Sequence, residues 1–164
     1  MEENKTTYFP LFVNMKDKSV RVYGAGTIAA RRIRILLDFE AKISAIAPEI
    51  KDDVSRLEKV KTEKRSFVRG EIENESGTQL PDFVLAATDD PAVNAEICRE
   101  CRLRSIPVNN ASDQEQCDFF FPAVIRDRNL VIGLTSGGQS HSGTKTAAAM
   151  IREALRKTAE AENK

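Results

Sequence analysis

A short glycine-rich segment is the first part of this sequence that could do chemistry. Gly24, Gly26 and Ala29 have the spacing G-x-G-x-x-A, between an alternating apolar run at 19–23 and a helix-like segment. In this context the first glycine permits a tight turn and the second lets the backbone approach a pyrophosphate. The small third residue allows the helix to pack closely on the strand. The pattern predicts a dinucleotide site, and a purely structural turn is the alternative.

Further positions are predicted to contact the bound dinucleotide. The amides of Thr27 and Ile28 lie at the start of the helix, where free N–H groups favour phosphate. No acidic residue ends the second strand, where a carboxylate usually binds the adenosine ribose. Pro48 and Glu49 follow that strand, and Glu49 either takes this role or lies exposed at the start of the next helix. No arginine stands there to accept a 2′-phosphate, so NAD is favoured over NADP. Thr88 ends a later strand and is predicted to neighbour the cofactor.

The cysteines and the single histidine are the other candidates for chemistry. Cys98 and Cys101 form a C-x-x-C inside a predicted helix, and Cys117 stands apart. A zinc site needs about four ligands and a second pair is absent, so we expect structural thiols and no metal site. Three cysteines describe no disulfide framework and fit a reducing compartment, the cytoplasm. His141 is either an exposed loop residue or a group that handles a metal or a proton.

The elements that position these residues alternate between strand and helix. The alternation predicts an α/β fold, a Rossmann-type doubly wound parallel sheet over residues 1–116, with right-handed crossovers. A loop is expected at 71–81. Strands are predicted at 19–23, 41–47, 62–68, 82–88 and 105–109, and helices at 28–39, 50–60 and 91–104.

Residues 117–164 have a different pattern. Apolar runs at 119–125 and 129–135 surround the turn 126–128 and predict a β-hairpin. A polar loop, 136–143, leads into an alanine-rich helix at 144–160. Met150, Ile151, Ala154 and Leu155 are expected to form its apolar stripe. Since a hairpin and one helix cannot bury their apolar faces alone, we expect this segment to pack against a second copy and form a homodimer.

The composition excludes several classes of protein. The chain has 164 residues, with 25 basic and 25 acidic side chains, so its balanced charge does not indicate a nucleic-acid partner. Its apolar runs are far shorter than the roughly 18–20 residues needed to cross a bilayer. The polar amino terminus, residues 1–5, argues against a secretory signal.

A set of landmarks in fixed order resembles one family. The landmarks are Tyr8-Phe-Pro-Leu-Phe12, Val22-Tyr-Gly-Ala-Gly-Thr-Ile-Ala29, Ala86-Ala-Thr-Asp-Asp-Pro91, Val108-Asn109, Cys117-Asp-Phe-Phe-Phe-Pro122 and Ser136-Gly-Gly-Gln-Ser140. The set as a whole resembles the precorrin-2 dehydrogenase family, which includes bifunctional dehydrogenase and ferrochelatase enzymes and the amino-terminal part of siroheme synthase. The resemblance covers roughly residues 6–156.

The resemblance implies a reaction and its cofactor. It implies NAD-dependent oxidation of precorrin-2 to sirohydrochlorin, with hydride passing to the nicotinamide while a nearby base takes the proton. In some members ferrous iron is then inserted into the product, and the hairpin region mediates a homodimer. The alternatives are a bifunctional dehydrogenase and ferrochelatase, and a non-catalytic NAD- or tetrapyrrole-binding partner subunit. A partner protein that completes the substrate pocket would fit the latter.

The resemblance also implies roles for individual residues. Catalytically active members of the family commonly carry an aspartate three residues after the asparagine that matches Asn109, where this chain has Ser112 followed by Asp113. Asp113 and Ser112 are therefore the catalytic candidates, and the departure puts metal insertion in more doubt than hydride transfer. Asn109, Ser136 and Lys145 are the substrate-binding candidates.

Two further features concern the substrate. Arg126 and Arg128, together with Lys145, are candidates for its carboxylates, although solvated surface charge explains all three at least as well. Many relatives continue beyond the position of Lys164 into a helical segment that helps to enclose the tetrapyrrole. We therefore expect a more open pocket in this chain, or one that another protein completes.

Overall fold

A computed structural model describes residues 9–75, 80–137 and 139–162 of the chain. They form two compact units, one of residues 13–119 and one that combines 9–12 with 120–162. The predicted boundary after residue 116 lies three residues earlier than this division. Residues 117–119 belong to the first unit because the Asn109 amide donates to the Phe119 carbonyl at 2.6 Å and the Val108 amide to Asp118 at 2.9 Å.

The larger unit is a five-stranded parallel sheet with the strand order β3-β2-β1-β4-β5. The order reverses between β1 and β4, which is where open α/β sheets bind their ligands. This confirms the predicted Rossmann-type, doubly wound architecture. The strands are β1 Ser19–Tyr23, β2 Lys42–Ala47, β3 Val60–Lys64, β4 Phe83–Ala86 and β5 Val108–Asn110, and the helices are α1 Thr27–Asp38, α2 Asp52–Ser55 and α3 Pro91–Leu103, followed by a 3-10 turn at Gln114–Gln116.

Three predicted elements in this unit have the wrong extent. The helix expected at 50–60 is a single turn, α2, because Val60 pairs with Ile43 and opens β3. The strand expected at 62–68 accordingly covers Val60–Lys64 at the sheet edge. The strand expected at 105–109 begins only at Val108, since Ser105 has a φ of +54° and ends the preceding turn. The loop expected at 71–81 is described only in part, because residues 76–79 lie outside the described ranges.

The two faces of the sheet are buried differently. Helix α1 packs through Ala29, Ala30, Ile33 and Leu36, at spacings of three and four residues. Helix α3 packs on the opposite pleat, where Tyr23, Ile46, Val84 and Ala86 share one face by their register. Both helices begin within one residue of the predicted position, because the glycine turn precedes α1 and Asp90 caps α3, accepting from the Ala92 amide at 2.8 Å.

A buried carboxylate on α3 holds the loop that follows β3. Glu100 is fully buried and accepts hydrogen bonds from the amides of Gly70, Ile72 (2.9 Å) and Glu73 (3.2 Å). Ile72 is itself fully buried against the core. Residues 65–75, within the described part of this loop, thereby cover the sheet face where a crossover helix usually lies.

The smaller unit is a hairpin and a helix. Strands β6 Ala123–Asp127 and β7 Leu130–Leu134 are antiparallel, and α4 covers His141–Glu162. The first strand begins four residues later than predicted, and the turn is Arg128-Asn129, with Arg128 at φ +48°. The Arg152 guanidinium donates to the Val124 carbonyl at 3.2 Å.

The predicted apolar stripe of α4 is partly wrong. Ala148 is buried, and Ile151 and Leu155 are half-buried, as expected of a packed face. Met150 is 68% exposed and Ala154 is exposed, because the face that packs on β6 is centred on Ala148 and Ile151.

Replacing Glu100 tests its hold on the loop. Glu100→Ala leaves three amides without their acceptor, and a hydrogen bond to a charged group contributes about 1.5–3 kcal/mol. We expect the free energy of unfolding, from urea titration followed by circular dichroism, to fall by about 3 kcal/mol or more. Glu58→Ala, at an exposed site, is the control and changes it by less than about 0.5 kcal/mol. Equal stability of the two variants would contradict this account of the loop.

Candidate dinucleotide-binding site

The turn between β1 and α1 leaves no space for a side chain at Gly24. Gly24 has a φ of +109°, and a Cβ built there would lie 2.1 Å from the Ala87 carbonyl oxygen. The Gly24 amide donates to Ile46 O, and the Ala87 amide donates to Tyr23 O, both at 2.8 Å. The carboxyl ends of β1, β2 and β4 therefore meet around this glycine, as its predicted role requires.

The space beside Gly26 is empty, whereas the space beside Gly24 is filled by Ala87. Gly26 is the N-cap residue of α1, with a φ of −86°, and a Cβ built there would meet no atom within 4 Å. No side chain caps the first turn, and no acidic residue lies in it. Thr27 and Ile28 are exposed at this end, whereas Ala29 is fully buried against the sheet. The start of α1 thus offers backbone amides to an anion, with no carboxylate in that turn to compete.

The ends of β2 and β4 flank this helix start. Pro48 and Glu49 are exposed and follow the last residue of β2 directly. Thr88 is half-buried just beyond β4, and its hydroxyl donates to Asn94 Oδ1 at 2.8 Å. The Thr88 amide donates to the same oxygen at 3.0 Å. Thr88 therefore lies at the predicted edge, but its polar groups already bind the protein.

The two catalytic candidates lie in the loop after β5. The Ser112 hydroxyl donates to Asn110 Oδ1 at 2.8 Å and accepts from Asn94 Nδ2 at 3.0 Å. The Asp113 carboxylate accepts from the Glu115 amide at 3.0 Å and from Gln116 Nε2 at 2.9 Å. Ser112 is thus held by neighbours on both sides, and Asp113 caps the 3-10 turn while remaining half-exposed.

The structure places Asn109 inside the protein rather than at the surface. It is 2% exposed, and its side-chain amide donates to the Phe119 carbonyl at 2.6 Å. The expectation that this side chain contacts substrate does not fit its burial, because it faces the segment at residues 117–119. Its geometry gives it a structural role, which is to hold that segment against β5.

Asn94 and Asn110 are two site residues that were not predicted from the sequence. Both are buried, at 0% and 4% exposed, and both bind Ser112. A signal for Asn94 was present, since it lies in the same helical stripe as Ile97 and Cys101, where an apolar residue is expected. Asn110 carried no such signal, because a polar residue at the end of a strand usually faces solvent.

The other candidates lie in the smaller unit. Ser136 Oγ accepts from the Ser140 amide at 2.9 Å, which fixes the loop before α4. Lys145 is exposed on the first turns of α4, and Arg126 and Arg128 are exposed on the hairpin. His141 is the first residue of α4. Within the described ranges, no group of three His, Cys, Asp or Glu residues could hold a metal ion.

The thiols have the properties of structural cysteines. Cys98 and Cys101 are fully buried on α3, and burial raises their pKa values to about 11 and about 12. Burial also raises the pKa of Cys117, whose sulfur accepts from the Asn110 amide at 3.2 Å. All three are free thiols, and they stay protonated at neutral pH.

The switch-point topology, the crowded glycine and the open helix start together define a dinucleotide-binding Rossmann unit. A family model described as "Putative NAD(P)-binding" matches residues 11–123. The match covers most of the chain, so the chain belongs to this family of NAD(P)-binding domains. The predicted class of cofactor is confirmed.

Relatives and a solved structure agree with the resemblance described above. A protein named "Probable multifunctional siroheme biosynthesis protein HemA" from Ruminiclostridium josui is 34% identical over 153 residues, 92% of this chain. "Siroheme synthase" from Saccharophagus degradans is 31% identical over 150 residues, 90% of this chain. The chain spans only 29% and 32% of these relatives' lengths.

The structure named "SirC, precorrin-2 dehydrogenase" superposes with a TM-score of 0.73 at 24% identity. The superposition covers 89% of this chain and 70% of that one, and it supports the fold. Across the described residues, no helix has the length and apolarity that a membrane span requires.

Two glycine variants distinguish the structural role of Gly24 in the turn from the ligand-binding role of Gly26. Gly24→Ala forces an unfavourable φ, which costs about 1–3 kcal/mol, and adds a clash with a carbonyl oxygen. We expect its free energy of unfolding to fall by about 3 kcal/mol or more. Gly26→Ala, the matched control, meets no atom and should change stability by no more than about 1 kcal/mol.

The same Gly26→Ala variant should weaken NADH binding by about tenfold or more, because its methyl group occupies the space where the phosphates approach. Isothermal titration calorimetry measures this. NADH binding to Gly26→Ala with the affinity of the wild type would show that the ligand does not approach this backbone.

Proposed function

We propose that this chain catalyses the NAD-dependent dehydrogenation of precorrin-2 to sirohydrochlorin in siroheme biosynthesis. The observation that carries the proposal is the open start of α1 beside Gly26, at the switch point of the sheet. The named activities of the relatives supply the substrate, since those relatives match about nine tenths of this chain. Because these relatives are about three times as long as this chain, the identity of its substrate has to be tested by experiment.

The cofactor-binding residues of the proposal fit a dinucleotide. Gly24 and Gly26 form the turn, and the amides of Thr27 and Ile28 bind the phosphates. The exposed Pro48 and Glu49 lie within reach of a ribose at the end of β2, where no arginine favours a 2′-phosphate. NAD is therefore the proposed cofactor, and when bound it supplies the hydride acceptor. The backbone of Thr88 forms the opposite edge of the crevice.

Asp113 is the proposed proton acceptor. It is a half-exposed carboxylate at the carboxyl edge of the sheet, whereas the Ser112 hydroxyl is engaged on both sides. A neutral serine is a poor base, so we assign Ser112 to holding the loop that carries Asp113. In this assignment Asp113 is the base, and Ser112 holds the loop that carries it.

The substrate and the assembly complete the proposal. The carboxylates of a tetrapyrrole require cationic or amide partners, and Lys145, Arg126, Arg128 and the loop at Ser136 offer them.

Within the smaller unit, Leu130 is 53% and Met150 68% exposed, which favours association with a second copy. We propose a homodimer in the cytoplasm, in keeping with the three free thiols.

Anaerobic turnover of precorrin-2 with NAD, followed by nicotinamide absorbance, tests the function. We expect wild-type protein to produce sirohydrochlorin, and Asp113→Ala to lower kcat by about 100-fold or more, because general-base catalysis contributes about 10²–10⁴-fold. Glu58→Ala, at an exposed carboxylate remote from this loop, is the control and retains wild-type kcat.

Each failure has a distinct meaning. Protein that binds NADH but leaves precorrin-2 unchanged is a non-catalytic binding subunit, and the proposal is then wrong. Full activity of Asp113→Ala removes the base assignment alone. Sirohydrochlorin incubated with ferrous iron or cobalt without NAD reports chelation separately, since chelation needs no hydride acceptor. A gain of chelation in Ser112→Asp would trace that activity to the missing carboxylate.

A further inference from the structure

The side chain of Asn94 is fully buried near the start of α3, and all of its hydrogen-bonding groups are used. Its Oδ1 accepts from the Thr88 amide at 3.0 Å and from the Thr88 hydroxyl at 2.8 Å. Its Nδ2 donates to the Thr88 carbonyl at 3.1 Å and to Ser112 Oγ at 3.0 Å. One planar amide therefore connects two separate loops.

Ser112 extends this connection to the end of β5. Its hydroxyl donates to Asn110 Oδ1 at 2.8 Å, and its amide donates to the same oxygen at 2.9 Å. The Ala111 amide donates to Ala86 O at 2.8 Å, which ties the same loop to β4. The backbone around Ser112 is thus fixed both by the sheet and by Asn94, and Asp113 is the next residue.

Asn94 is the centre of the network because it is fully buried and uses all of its hydrogen-bonding groups, whereas Ser112 lies exposed at the surface. A buried amide is costly unless its groups are satisfied, and a satisfied one has a single favourable geometry. Asp90 caps the start of α3 by accepting a hydrogen bond from the Ala92 amide. The helix therefore holds Asn94 in place when Thr88 is displaced. A displacement of Thr88 must consequently be met by a displacement of Ser112, or break a hydrogen bond.

We propose that Asn94 is a positioning residue that couples the cofactor edge at Thr88 to the loop that carries Asp113. The part played by Asp113 rests on the proposed function, whereas the coupling between Thr88 and Ser112 does not. Through this coupling, a dinucleotide seated against Thr88 stabilises the arrangement of Ser112 that presents Asp113. Coupling between two sites is reciprocal, so a change at Ser112 must alter binding at Thr88.

NADH titrations of wild type, Ser112→Ala and Ser112→Thr test the coupling. Ser112→Ala removes both hydrogen bonds of the hydroxyl, the one from Asn94 and the one to Asn110, and we expect it to weaken NADH binding about fivefold. Ser112→Thr keeps the hydroxyl and binds as wild type. Ser66→Ala, at an exposed serine, is the control and leaves the affinity unchanged. The melting temperature of Ser112→Ala should stay within about 4 °C of wild type, which separates coupling from loss of stability.

The Asn94→Ala background decides whether Asn94 carries the effect. There, Ser112→Ala should change the NADH affinity less than about twofold, because the link is already absent. Unchanged NADH affinity of Ser112→Ala in the wild-type background would overturn the proposal, and this holds even if Asn94→Ala does not fold. An equal effect of Ser112→Ala in both backgrounds would also overturn it. These measurements use no precorrin-2, so they stand whether or not that substrate is turned over.

Discussion

The close approach of Gly24 to the Ala87 carbonyl is the constraint on which the site depends. A Cβ at Gly24 would lie 2.1 Å from that oxygen, so the backbone of the turn packs directly on the end of β4. The hydrogen bonds from Gly24 to Ile46 and from Ala87 to Tyr23 hold three strand ends together. The first amides of α1 consequently open at the switch point, where the field of the helix favours an anion.

The opposite edge of the crevice is built from neutral groups. Asn94 bonds to both Thr88 and Ser112, so neutral amide and hydroxyl groups join the two loops. A buried charge there would need a partner, whereas amides and hydroxyls satisfy one another at low cost. The one carboxylate of the loop, Asp113, stays half-exposed. A neutral, hydrogen-bonded support therefore lies next to a half-exposed carboxylate.

Local signals predicted the fold better than they predicted the contacts. Helices α1 and α3 were placed within a residue because the glycine turn and the Asp90-Pro91 cap fix their starts. The helix at 50–60 was wrong because pairing of Val60 with Ile43 outweighs its helical periodicity. The glycines of the site were visible in sequence, since their roles are local.

The partners across the fold were not visible in sequence. From the sequence, Asn109 is a polar residue at the end of a strand and is expected to face solvent. Only its hydrogen bond to the Phe119 carbonyl shows that it points inward. The pairing of Asn94 with Ser112 joins residues 18 positions apart, which no spacing rule anticipates.

Binding of NADH at the start of α1 is the central claim, and an NMR titration of the ¹⁵N-labelled chain tests it most directly. The account predicts that NADH shifts the amide resonances of Gly26, Thr27 and Ile28, while those of the exposed β3 residues Lys61–Glu63 stay in place. Saturating NADH that leaves the Gly26–Ile28 amides unchanged, or that shifts only distant residues, would contradict it.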